Sequence, residues 1–182
     1  MARLPYLNVE DLAESDQDIL KRPINLHRAL AHSTEGARAF GKVGSWIRFG
    51  SQLDPKLREL VILQVGWLAK SPYEWSHHVK IGKDFGLSDA EIEAVKQETS
   101  GKTSQLPELY RIALKAAREM ALDGGMAEKT YADLATELSH ELMVDLVIVI
   151  AFYCGVVRLL ASLGIDVEPS YQPHLDAHPL PE

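Results

Sequence analysis

Between Ser71 and His78 the chain reads SPYEWSHH, and the apolar run before it, LRELVILQVGWLAK, carries one glutamate, Glu59. Three of these residues have the types and spacing of a proton-transfer site. Glu74 and His78 are four residues apart, so on a helix they share a face. A carboxylate beside an imidazole raises the imidazole pKa and decides which ring nitrogen holds the proton. Glu59 stands in an almost wholly apolar segment, so if it is buried it needs a partner, and the imidazole of His78 is available. A partly desolvated Glu59–His78–Glu74 set suits general acid–base catalysis near neutral pH.

The same stretch has a simpler reading. Ser71 as N-cap, Pro72 at the first helical position and Glu74 three residues after Ser71 make a capping box. That accounts for two residues and leaves Glu59, His77 and His78 without a role. Ser71 and the N–H groups at this helix start can also receive an anion, although Glu74 opposes it. Together with Ser71, His77 and Trp75 are the candidates for contact with substrate, while Trp67 and Trp75 also suit the core or a subunit contact. A metal is not expected, because adjacent histidines on a helix point roughly 100° apart.

The elements that must position these residues all read as helices. Apolar residues recur at three- and four-residue spacing, and start signals are explicit. Asp54 and Pro55 open one helix as N-cap and first residue. Ser88 and Glu91 form a capping box, with Leu87 and Ile92 placed as its hydrophobic staple. A long helix runs from an N-cap at Ser139 to a terminal glycine at Gly164. Further helices are expected at Pro23 to Ala31, Thr34 to Phe49, Pro107 to Leu122 and Glu128 to Leu138. No alternating strand pattern or Asn-Gly turn occurs, so the fold class is all-α. The organisation is an N-terminal arm over 1–24, a helical domain over 25–168 and a C-terminal tail over 169–182. Arm and tail are rich in proline and acid and lack helical periodicity, so they are expected to be disordered or to wrap a neighbouring subunit.

Composition narrows the function classes. The 182 residues suit one domain, and the net charge of −7 disfavours nucleic acid and anionic membrane as partners. The longest apolar segment, Leu146 to Val157, holds 12 residues between Asp145 and Arg158, too few to span a bilayer. It reads as a core helix, so no membrane partner is expected. The N-terminus lacks a signal-peptide pattern, which makes a cytoplasmic location the expectation. The single cysteine, Cys154, excludes an internal disulfide, and its apolar setting favours a buried, inert thiol.

The segment LRELVILQVGWLAKSPYEWSHHVKIGKDFGLSDAEIEAV resembles the carboxymuconolactone decarboxylase family, which includes the alkylhydroperoxidase D-like proteins. LVIVIAFYCGVVRLLASLGIDVE resembles that family's closing helix, and with LHRALAHSTEGARAFGKVGSWIR the resemblance covers about residues 25 to 168. It implies an alkylhydroperoxidase D-like helical bundle that assembles as a homo-oligomer, trimer or hexamer, and needs no cofactor. In the peroxidase branch the pattern is a glutamate, C-x-x-C, and a histidine four residues after the second cysteine. On this sequence those positions are Glu59, Ser71, Glu74 and His78, so both cysteines are absent. A thiol peroxidase needs a thiolate and a resolving partner, which serine and glutamate cannot supply. The decarboxylase branch implies proton transfer around a histidine, with Glu59, Glu74 and His78 as the residues for it. The expectation is a lyase or isomerase acting on a small organic acid or lactone, with peroxiredoxin-type activity or a non-catalytic helical oligomer as alternatives. For an acidic substrate, Lys70, Lys80 and Arg58 are the available cations, although none forms an obvious matched set.

Overall fold

The computed structural model describes residues 2–181; Met1 and Glu182 of the arm and the tail lie outside the described residues. Nine α-helices and two short 3-10 helices, with no strand among the described residues, make the fold all-helical. The helices are α1 Asn25–Leu30, α2 Thr34–Phe49, α3 Pro55–Leu68, α4 Pro72–Asp84, α5 Asp89–Thr99, α6 Glu108–Leu122, α7 Glu128–Ala135, α8 His140–Leu163 and α9 Gln172–Ala177.

Capping chemistry sets most boundaries. The Asp54 carboxylate accepts the Leu57 N–H at 2.9 Å at the start of α3, and Ser139 accepts the Leu142 N–H at the start of α8. Ser88 and Glu91 complete the capping box of α5 in both directions. Gly164 ends α8 at φ 63°, a left-handed conformation in which a side chain would be strained. Helices α1, α6 and α7 are shorter than the periodicity predicts, at one or both ends, because their terminal residues take up capping and turn conformations.

Helix α3 is the axis of the molecule. Its residues from Leu57 to Gly66 are all buried, because α4, α5, α6 and α8 pack around it. A helix with so many apolar residues around its circumference is stable only in a buried position. Two glycines set how closely α4 approaches it. A Cβ on Gly82 would come within 2.7 Å of Leu87 Cδ1 and 3.6 Å of Glu59 Cβ, and one on Gly66 would meet the Trp75 N–H and Glu74. Helix α8 is long and apolar enough by composition to cross a membrane. Here it packs on α3, α6 and α7 instead, with Leu146, Val149, Ile150 and Leu160 in the core. Of its charged residues only Asp145 is buried, and it accepts the Ser51 hydroxyl at 2.6 Å.

Arm and tail depart from expectation: both are ordered and pack on their own chain. The arm holds the 3-10 helices Val9–Asp11 and Glu14–Leu20. Arg38 of α2 grips it through Asp16 at 2.8 Å and Asp18 at 2.7 Å, and Arg28 of α1 donates to the Leu7 carbonyl. The tail folds back so that α9 lies on α4. There the Trp75 indole N–H donates to the carbonyl of His178, whose ring meets Asp89 at 2.8 Å. These contacts are polar and specific, so a hydropathy pattern does not register them.

Replacing Trp75 with Phe keeps an aromatic ring but removes the five-membered part of the indole and leaves the His178 carbonyl without its donor. A loss of about 1–3 kcal/mol in urea unfolding is expected, with greater proteolytic sensitivity of the tail beyond Glu168. Unchanged stability and sensitivity would refute the contact.

Candidate active site

The start of α4 shows how the sequence builds the site. Ser71 caps the helix by accepting the Glu74 N–H at 3.4 Å, but Glu74 does not reach back to complete the box. The Ser71 N–H is already bonded to the Gly66 carbonyl at the end of α3. The expected reciprocal box is therefore half formed, and the Glu74 carboxylate is free to turn along its own helix toward His78.

His78 lies between two carboxylates. Its Nδ1 is 2.6 Å from Glu59 Oε2 on α3, and its Nε2 is 3.0 Å from Glu74 Oε1 one turn earlier. Glu59 is also bound by Arg58, whose Nε donates to Oε1 at 3.0 Å. The four side chains make a continuous buried line, Arg58–Glu59–His78–Glu74. Burial opposes charge on His78, but Glu74 and Glu59 outweigh it and hold the imidazole up to about 9. His78 is therefore an imidazolium at neutral pH, with a proton on each ring nitrogen and the Nδ1 proton donated to Glu59. Burial likewise opposes charge on Glu59, yet His78 and Arg58 draw its carboxyl below the usual range. The Glu74 contact is an ion pair without hydrogen-bond alignment, so Oε1 lacks a hydrogen-bond partner.

Glu74 and His78 open onto a cavity of about 320 Å³ between α1, α2, α4 and α8. Five rings stand in its walls: Phe40, Phe49, Phe152, Tyr73 and Tyr153. Glu59 lies behind His78, away from the cavity. Tyr153 of α8 stands edge-on to His78 with ring centres 5.0 Å apart. Burial, then Glu74 and Glu59, push its phenol up, so it stays protonated and able to donate. Sequence reading missed Tyr153; the only trace of it is a hydroxyl-bearing ring within an aliphatic helix. Arg22 and Arg48 were also missed, and both line the cavity. They come from the arm and the end of α2, and nothing in their spacing connects them to SPYEWSHH.

The other expected contacts divide. His77 does line the cavity. Its ring is stacked between Tyr73 at 4.1 Å and Tyr171 at 3.5 Å, and its Nε2–H donates to Glu168 Oε2 at 2.7 Å. Burial pushes its pKa down despite Glu168. Glu168 also accepts the Tyr73 hydroxyl and the Asn25 N–H, so the segment after α8 pins α1 and α4 at this wall. Ser71 and Trp75 do not line the cavity. Ser71 is spent on capping, and Trp75 is fully buried against Trp67, with ring centres 5.3 Å apart. Neither is in position to touch a ligand there. Of the expected cations, Arg58 is buried on Glu59, Lys80 pairs with Asp84 at the surface, and Lys70 lies outside the cavity wall. Among the described residues no group of three or more His, Cys, Asp or Glu has metal-holding geometry. Cys154 lines a separate groove with Arg158 and Leu122, and burial pushes its thiol up.

Residues 34–99 match the model of the carboxymuconolactone decarboxylase family, a segment that runs from α2 to α5 and includes Glu59, Ser71, Glu74, His77 and His78. The fold is that of the alkylhydroperoxidase AhpD core. A peroxidase-related protein from Ralstonia eutropha JMP134, solved as an AhpD core, superposes with a TM-score of 0.82 at 17% identity, covering 100% of this chain and 98% of the other. The debrominase Bmp8, as a cysteine-to-alanine variant in complex with 2,3,4-tribromopyrrole, gives a TM-score of 0.80 at 18% identity, over 97% and 98% of the two chains. A putative antioxidant defence protein AhpD from Agrobacterium tumefaciens gives 0.68 at 17% identity, over 77% and 95%. At these identities the likeness is one of fold. No curated protein matches the chain in sequence.

Two outcomes test the buried line. Glu59→Ala leaves Arg58 and His78 without their shared carboxylate, and a cost of about 3–5 kcal/mol in chemical unfolding is expected. His78 holds its proton more tightly folded than unfolded. Its pairing therefore contributes fully below the ordinary imidazole pKa of roughly 6.5 and is lost as pH rises through about 9. The unfolding temperature should fall from pH 7 to about pH 9.5 in the wild type, and this fall should be shallower in His78→Gln. Equal slopes would refute the pairing.

Proposed function

We propose that this chain is an enzyme of cofactor-free proton transfer, acting by decarboxylation or isomerisation on a small organic acid or lactone. The observation that carries the reading is the buried Glu59–His78–Glu74 line ending at the wall of a ring-lined cavity. Glu74 is the group that meets the substrate, because it lines the cavity while its buried Oε1 faces His78. As a carboxylate it accepts a proton from a carbon beside a carbonyl, and as an acid it returns one to an enolate left by proton or carbon dioxide loss. His78 stabilises the charged form of Glu74 and resupplies the proton. Glu59, held by Arg58, fixes the imidazole and keeps it charged. Tyr153 can donate to an oxyanion developing in the same cavity.

The match to the carboxymuconolactone decarboxylase family supports this reading at the level of the segment concerned. The tribromopyrrole complex of the similarly folded debrominase supports a small ring as ligand. Thiol peroxidase chemistry, which the peroxidase-related neighbours would suggest, has little to work with. The chain's one cysteine is in another groove, and its thiol is pushed up by burial.

The proposal includes a cytoplasmic homo-oligomer, trimer or hexamer. Three large apolar side chains support the assembly: Phe49 is 77% exposed, Leu122 66% and Val144 56%.

His78→Gln and Glu74→Gln are each expected to lower turnover of acidic lactones or enolisable acids by about 100-fold or more, as removal of an acid/base group does, while fold and oligomer persist. Full turnover in either variant would sink the proposal. No turnover in the wild type on such substrates, combined with strong Glu59–His78 coupling in a stability cycle, would favour a non-catalytic protein. Sedimentation should show an oligomer at micromolar concentration, and a monomer would refute the assembly.

A further inference from the structure

Arg48 is the least explained charge in the molecule. It ends α2, lines the cavity and is only half-buried. Its guanidinium makes no hydrogen bond or ion pair with any described residue. Nearly every other arginine in and around the cavity is occupied: Arg58 by Glu59, Arg38 by Asp16 and Asp18, Arg28 by Asn8 and two carbonyls. In a chain of net charge −7, an arginine left without a carboxylate inside a cavity stands out. Arg22 is the second cation on that wall, and its one polar partner is the neutral hydroxyl of Tyr171.

Neighbouring groups locate these charges. His27, also in the wall, has its pKa pushed down by burial against the pull of the Arg22 carbonyl, with the Arg22 and Arg48 charges adding to the lowering. Arg48 also acts on Tyr153, the ring that stands edge-on to His78. Arg48 thus shares one cavity wall with His27, Tyr153, Glu74 and His78. The main chain there is fixed, since the Arg48 carbonyl accepts from Arg58 Nη1 at 3.2 Å. Gly41 and Gly44, on the α2 face lining the cavity, have nothing within 4 Å of where a Cβ would stand, so the helix leaves open space beside the guanidinium.

We propose that Arg48, supported by Arg22, is the carboxylate anchor of this cavity, and that the ligand is a ring-bearing monocarboxylate. Guanidinium and carboxylate match in a two-bond fork. The ring walls formed by Phe40, Phe152 and Tyr153 take the apolar body of such a ligand, and the volume of about 320 Å³ suits a molecule of one or two rings. Glu74 sets the limit of one charge, because a second carboxylate beside it would be repelled. The inference rests on the acid/base reading for the reaction but not for the binding, so the two can fail separately.

The test is calorimetric titration with benzoate and its neutral isostere benzamide, on the wild type, Arg48→Gln, Arg48→Lys and His78→Gln. Wild type is expected to bind benzoate at least about tenfold more tightly than benzamide, as a charge-assisted pair requires. Arg48→Gln should weaken benzoate by about 10- to 100-fold and leave benzamide unchanged, with Arg48→Lys in between. Arg48 makes no structural bond through its guanidinium, so these variants should unfold at the wild-type temperature. Equal binding of the two ligands by the wild type, no binding of benzoate, or full benzoate affinity in Arg48→Gln would each overturn the anchor. Benzoate binding retained in His78→Gln, with turnover absent from every protein, would leave the anchor standing and remove the acid/base reading alone.

Discussion

A carboxylate, an imidazolium and a guanidinium are buried together beside the axis of this bundle, and the rest of the fold is arranged to make that tolerable. Removing each ion from water costs several kcal/mol, and their mutual attraction offsets this only when every charge has its partner in place. Glu59 has two, Arg58 and His78, and His78 has two in turn. The set is neutral as a whole when Arg58 and His78 are protonated and both glutamates are ionised. That neutrality holds His78 up to about 9 although it is buried. The close approach of α3 and α4 is equally required, and Gly66 and Gly82 make room for it at the level of Glu74 and Glu59.

The tails serve the same centre from outside. Glu168, just before the tail, receives His77, Tyr73 and the start of α1 on one carboxylate, so the wall of the cavity beside His78 is fastened by residues distant in sequence. Tyr171 closes the aromatic stack over His77 and accepts from Arg22 of the arm. Adjacent histidines have thereby been separated in role. His77 is kept neutral by burial and holds structure, whereas His78 is kept charged and faces the cavity.

Charge is divided within the cavity. Glu74 ends the buried line at the cavity wall, and Arg48 and Arg22 supply positive charge there with few competing partners. An acidic ligand finds attraction from the arginines, while its ring meets Phe40, Phe152 and Tyr153. This division also separates the site from a thiol peroxidase, whose chemistry would require cysteines where Ser71 and Glu74 stand.

The helical class, the capping of α3, α5 and α8, and the candidate trio Glu59, Glu74 and His78 were all legible in the sequence. Each depends on spacing within one or two neighbouring helices, where 3.6-residue periodicity converts sequence distance directly into spatial distance. What Trp75 touches, why Ser71 and Glu74 form only half a capping box, and how the tails pack were decided by tertiary contacts. The Gly66 carbonyl takes the Ser71 N–H, and the His178 carbonyl takes the Trp75 indole, across loops or long sequence gaps. Arg22, Arg48 and Tyr153 belong to the same category. They come from the arm, the end of α2 and the middle of α8, and no local pattern relates them. Only the packing of α1, α2 and α8 against α4 brings them to one cavity, because helix periodicity is local and the assembly of helices is not.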